Sequence, residues 1–133
     1  IHKNPVVVID GAHNPAAAKV LKDSLETYFQ GKDLHFIIGV FADKDYQSVI
    51  SMTAPLAKHI ITIQTPDNQR ALPAEQLRDA VAKVNPSAEA AGSIREAVRK
   101  SMENAQKDDV IVAFGSLSFL GELDREVQAM EGE

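Results

Sequence analysis

Two hydrophobic periodicities alternate along the whole chain. Pro5-Val6-Val7-Val8-Ile9 is a short, continuous, β-branched run, the pattern of a strand buried on both faces. Comparable runs over 34–40, 60–63 and 110–114 predict three more strands, and alternation over 88–91 predicts a weaker fifth. Between the runs, apolar residues recur at three- and four-residue spacing, as on a helix face. Asn14 and Pro15 are suited to the cap and first position of a helix carrying Ala17, Val20, Leu21, Leu25 and Tyr28 inward, and Gly31 stops it. A second helix is predicted over 45–58, with Pro55 near its end. Pro73 opens a third, with Leu77, Ala80, Val81 and Val84 on its buried face and Asn85-Pro86 ending it. Ser93-Ile94-Arg95-Glu96 is a capping box in which Ser93 and Glu96 satisfy each other's backbone donors. The helix it starts buries Ile94, Ala97, Val98, Met102 and Ala105, and a fifth helix is predicted over 118–130.

Strands alternating with helices of this length imply right-handed βαβ units. The predicted fold is α/β: a Rossmann-like three-layer domain with a mostly parallel sheet of about five or six strands flanked by helices. No repeat or low-complexity linker interrupts the pattern, and 133 residues suit one domain, 1–133. The chain opens on Ile1 and enters a strand almost at once, which reads as a cut inside a longer protein.

Composition narrows the function. Fourteen basic residues against nineteen acidic ones give a net charge of -5, and Lys and Arg are scattered, so no nucleic-acid partner is expected. There is no cysteine, hence no disulfide, thiolate metal site or cysteine nucleophile. That fits a cytoplasmic protein. No apolar run approaches the ~18 residues of a membrane span, and no membrane partner is expected.

In a parallel sheet, ligands bind beyond the carboxyl ends of the strands. Three turns there carry distinctive residues. Asp10-Gly11-Ala12-His13-Asn14-Pro15 places a carboxylate that could accept from a ribose diol, a glycine for a tight turn, and His13 just before a helix start. The ordinary alternative is an Asx-type turn with His13 solvated. Gly39-Val40-Phe41-Ala42-Asp43-Lys44-Asp45 offers a helix cap and a mobile cation at Lys44, and Gly115-Ser116-Leu117-Ser118 offers a glycine and hydroxyls at a helix entry. Arg70, in Thr65-Pro66-Asp67-Asn68-Gln69-Arg70-Ala71-Leu72, is a candidate fork for a carboxylate or phosphate. His2, His35 and His59 lack metal-ligand spacing; His35 reads as packed in or beside its strand and the other two as surface residues. A phosphate loop, a dinucleotide fingerprint and a nucleophile elbow are all missing, so the chain is poorly equipped to hold Mg-ATP alone.

The Asp10–Pro15 hexapeptide resembles the start of the C-terminal domain of folylpolyglutamate synthase, a relative of the Mur peptidoglycan ligases. Gly39 with Asp43-Lys44-Asp45, Pro66 with Arg70-Ala71, and Gly115-Ser116 continue the resemblance in family order. It implies one part of an ATP-dependent amide ligase, whose own N-terminal ATPase domain carries the phosphate loop and the Mg²⁺ ligands. ATP would phosphorylate the terminal carboxylate of a folate, or of dihydropteroate in bifunctional members, and L-glutamate would attack the acyl phosphate. Carried onto this sequence, Asp10 and Lys44 would bind nucleotide. His13 would be catalytic, and His13, Asn14, Ser116 and Arg70 would bind substrate. No metal ligand is assigned to this chain, which is expected to be monomeric and inactive by itself. Two alternatives remain: the corresponding domain of a Mur-type peptidoglycan ligase, disfavoured by Gly11, and a stand-alone flavodoxin-like or receiver module, for which Asp67 is the nearest phosphoacceptor candidate.

Overall fold

The β-branched runs form parallel strands because their side chains must be covered on both faces. These are β1 (Val6–Asp10), β2 (Leu34–Gly39), β3 (His59–Thr62), β4 (Ala88–Ala90) and β5 (Val110–Gly115). The computed structural model describes residues 6–11, 14–41, 45–65, 71–106, 108–115 and 117–131. The strands stand in the order β1-β5-β2-β3-β4, and every pairing is parallel. Between and after them run α1 (Pro15–Tyr28), α2 (Tyr46–Thr53), α3 (Ala74–Ala82), α4 (Ile94–Asn104) and α5 (Leu117–Glu131).

Right-handed crossovers sort the helices onto the two faces. From β1 through β4 the chain steps in one direction across the sheet, and α1, α2 and α3 pack over Phe36, Ile38, Ile60, Val112 and Phe114. From β4 it reverses to insert β5 beside β1, and α4 with α5 packs over Ile37, Ile61, Ile111 and Ala113. The three-layer, mostly parallel expectation holds, with five strands in the described sheet. An antiparallel bridge joins Phe41 to Ala71, and the Leu72 amide donates to the Val40 carbonyl at 3.0 Å, beyond the end of β2.

Several sequence expectations need correction. In α1 the buried positions are Ala18, Leu21 and Leu25, whereas Val20 and Tyr28 are 65% and 78% exposed. The helix presents a narrower stripe than its apolar residues suggest. The second helix stops at Thr53 and continues only as a short 3-10 turn, Ala54–Leu56, because Pro55 has no amide to donate into an α-helix. Val84 lies past the end of α3 and is exposed rather than buried. β1 is an edge strand, so Val8 and Ile9 are only half-buried. Ser93 Oγ accepts from the Glu96 amide at 3.1 Å as a capping box requires, but the Glu96 carboxylate accepts from the Gly92 amide at 2.9 Å, one residue earlier than expected. The Lys100 ammonium, 3.0 Å away, and that Gly92 amide hold the Glu96 carboxyl below its usual range.

His35 is 2% exposed, and its Nε2 lies 2.9 Å from Asp109 Oδ2. Asp109 also accepts from the Gln106 amide at 2.8 Å, so this pair fastens β2 to the turn that enters β5. Burial pushes the Asp109 carboxyl up, but the Gln106 amide and the His35 ring outweigh it, and the group titrates below its ordinary value. His59 is half-buried rather than a surface residue, with Nε2 3.3 Å from Glu89 Oε2.

Candidate active site

Asp10 and Gly115 end neighbouring strands, and the chain leaves them toward opposite faces of the sheet. Asp10 pairs in register with Phe114, and from Asp10 the chain passes to α1 on one face. From Gly115 it passes to α5 on the other. Where neighbouring connections diverge in this way, a crevice opens at the carboxyl edge, the usual ligand position in open α/β sheets.

The sheet beneath this edge is closely packed. Phe114 and Phe36 meet edge to face with ring centroids 5.1 Å apart, both fully buried. Above them Gly39 and Gly115 are register partners at the ends of β2 and β5. Gly115 has φ +120, and a side chain there would run into the Gly39 carbonyl oxygen. A Cβ on Gly39 would come within 3.0 Å of Ile63 Cγ1 and 3.2 Å of Phe119 Cε1. Gly115 is therefore demanded by backbone approach, whereas a side chain at Gly39 would press on the side chains of Ile63 and Phe119.

Of the residues singled out from the sequence, Asp10 is the half-buried last residue of β1. Asn14 is exposed and caps α1, its Oδ1 accepting from the Ala17 amide at 2.8 Å. The first two helix entries around the edge are thus fixed by side-chain caps, since Asp45 does the same for α2 through the Ser48 amide at 3.2 Å. His13, Lys44, Arg70 and Ser116 lie outside the described residues, as does Asp67. The structure brings Asp10, Asn14, Gly39 and Gly115 to one edge.

A second divergence lies at β3 and β4, whose chains leave to α3 and α4 on opposite faces. A hollow of about 280 Å³ opens there, between Gln64, Pro73 and Glu75 on one side and Ala91, Gly92 and Ser93 on the other. Its α4 entrance is already satisfied by Ser93 and Glu96, which removes the usual attraction of a helix N-terminus for anions. Sequence reasoning passed over Thr65, three residues past the end of β3, whose hydroxyl is buried without a partner among the described residues. It also passed over Asp109; a carboxylate directly before an apolar strand was the available signal for a buried partner. Among the described residues no group of three or more His, Asp or Glu side chains converges as a metal site would. No helix among them is long and apolar enough to cross a membrane.

A three-layer parallel α/β domain whose connections diverge at the strand carboxyl ends belongs to the open α/β class, in which ligands sit beyond those ends. The chain belongs to the family described as Mur ligase, glutamate ligase domain, whose model matches residues 1–117. Among curated relatives, it is 31% identical over 119 residues to a probable bifunctional folylpolyglutamate synthase/dihydropteroate synthase of Haloferax volcanii, covering 89% of this chain and 14% of that protein. It is 32% identical over 114 residues to a UDP-N-acetylmuramoyl-L-alanyl-D-glutamate–2,6-diaminopimelate ligase of Caldanaerobacter subterraneus, covering 82% of this chain and 23% of that protein. The folylpolyglutamate synthase structure of Thermotoga maritima superposes with a TM-score of 0.82 at 27% identity, over 98% of this chain and 30% of that one. The first curated relatives are spanned over only 14% and 26% of their length.

Proposed function

We propose that this chain, 1–133, is the C-terminal domain of an ATP-dependent folylpolyglutamate synthase. It would close over an N-terminal ATPase domain that carries the phosphate loop. The observation that carries the reading is the family match over residues 1–117 together with a carboxyl edge that gathers Asp10, Asn14, Gly39 and Gly115. A folate carboxylate oxygen takes the γ-phosphoryl group of ATP, and ADP leaves. The amine of L-glutamate then attacks the acyl carbon; the new C–N bond forms as inorganic phosphate departs and the nitrogen loses a proton.

Six residues of this chain take roles in that scheme. Asp10 accepts from the ribose hydroxyls and Lys44 offsets phosphate charge. Asn14, Arg70 and Ser116 serve the substrate side, and His13 faces the reacting phosphoryl and amine groups. Gly39 and Gly115 hold the ends of β2 and β5 close together at the sheet edge, where convergent donors favour an anionic transition state. Mg²⁺ would neutralise charge on the phosphates. In this scheme its binding belongs to the N-terminal domain that carries the phosphate loop. Activity then resides in the closed pair of domains, and a cytoplasmic, monomeric protein fits this scheme.

The test is ADP release by the full reading frame in Mg-ATP and L-glutamate, with and without a reduced folate, beside the isolated 133-residue chain. Turnover in the long form only, requiring both folate and glutamate, supports the proposal. A second reading is favoured by the 32% identity to the diaminopimelate-adding ligase: the same edge serving a cell-wall nucleotide precursor. Turnover with that precursor and none with folate selects it.

A further inference from the structure

Among the described residues, three buried side-chain polar atoms lack a hydrogen-bond partner: His35 Nδ1, Ser101 Oγ and Thr65 Oγ1. The first two are remote from the candidate site. His35 is the second residue of β2, and Ser101 is in the C-terminal half of α4, toward the amino end of the sheet. Thr65 stands at the carboxyl edge, two residues past Ile63, whose amide makes a sheet bond to the Ile38 carbonyl at 2.9 Å.

Other threonines in this chain provide the control. Thr53 and Thr62 are also fully buried, and each hydroxyl donates to a backbone carbonyl at 2.7 Å, those of Val49 and Ala74. Ser101, remote from the edge, also leaves a buried hydroxyl unmatched, but among the buried threonines Thr65, 1% exposed, is the one that does so, and it stands at the carboxyl edge. Valine would fill the same space without burying an unmatched oxygen, which costs stability. An unmatched polar group at a functional edge is the kind of local inconsistency that function imposes.

We propose that Thr65 is a positioning residue for the acceptor amino acid: its hydroxyl gains a hydrogen-bond partner only in the ligand-bound arrangement of the carboxyl edge. The proposal rests on the ligase reading above. Its place in the sheet selects the acceptor over the nucleotide. β3 is separated from β1 by β5 and β2. Three strand spacings put Thr65 about 14 Å from the strand that ends in Asp10. Thr65 therefore belongs to the far side of the Gly39–Gly115 contact from the proposed ribose position.

The experiment compares wild type, Thr65→Val and Thr65→Ser in the full reading frame. It reads thermal stability without ligands and separate KM values for L-glutamate and ATP. Because the hydroxyl is unmatched at rest, Thr65→Val should melt at or above the wild-type temperature. Its KM for glutamate should rise about tenfold, the loss of one good hydrogen bond, while that for ATP stays unchanged. Thr65→Ser should restore the glutamate KM. A Thr65→Val protein that melts several degrees lower overturns the proposal, because the hydroxyl is then bonded in the resting fold. Equal glutamate KM values in an active wild type and an active Val variant also overturn it, and leave the ligase reading intact. Wild type that ignores glutamate overturns both.

Discussion

The space where a side chain of Gly115 would begin is taken by the carbonyl oxygen of Gly39, its register partner on the adjacent strand. The contact joins β5 to β2 at the edge where the chain from β5 turns to one face and the chain from β2 to the other. Any side chain at Gly115 must displace Gly39, and its φ of +120 also disfavours an L residue. Gly115→Ala should therefore cost about 2–4 kcal/mol, combining backbone strain and overpacking. Chemical denaturation measures it; a cost within ~0.5 kcal/mol, as at an ordinary surface position, would show that the edge yields easily.

Asp109 and His35 supply a second test. Asp109→Ala removes the partner of a buried histidine and one acceptor for the Gln106 amide, and should lose about 3–5 kcal/mol. A thermal melt at neutral pH checks this, with an expected fall of at least ~10 °C for a chain of this size.

The same carboxylate predicts a pH dependence. Its pKa is lower in the folded chain than its ordinary value of 3.8, so the unfolded chain takes up the proton first as pH falls. The stability it contributes is complete above that ordinary value and is lost as pH drops through the folded one. Asp109→Asn should flatten the stability curve below about pH 4. Denaturation midpoints across the acid range measure this, and parallel acid limbs in the two proteins would refute it.

Asn85 secures the far end of the helical layer. Its amide nitrogen donates to the carbonyls of Ala54 and Ala57, at 2.9 and 2.8 Å, and its oxygen accepts from the Ser87 amide at 3.0 Å. Asn85→Ala strands two partly buried carbonyls and should cost about 1–3 kcal/mol. Asn85→Asp, which cannot donate there when ionised, should be no better at neutral pH. Urea titration of both variants decides the point.

Asp10 tests the nucleotide side of the proposed reaction. In the full reading frame, Asp10→Ala should raise KM for ATP about tenfold, as loss of a hydrogen bond to a charged acceptor implies, with little effect on KM for glutamate. Steady-state kinetics with each substrate varied in turn would expose the opposite pattern.

Local chemistry settled much of this molecule before any tertiary contact was considered. The apolar runs mark their strands because buried parallel strands need covering on both faces, and Asn14 and Ser93 mark helix starts because each has an oxygen within reach of an amide three residues on. The turn at Asp10 was legible as a candidate site, since a carboxylate, a glycine and a helix cap follow one strand without a break. Nothing local could place β5 between β1 and β2, because strand order is set by long-range packing and crossover handedness. For the same reason Val20 and Tyr28 read as core yet face outward: a helix's apolar stripe is narrowed by whatever neighbours cover it. The partnership of His35 with Asp109, the contact of Gly39 with Gly115 and the unmatched hydroxyl of Thr65 are likewise facts of assembly. They depend on which strands become neighbours, and that is decided by the burial of both sheet faces at once.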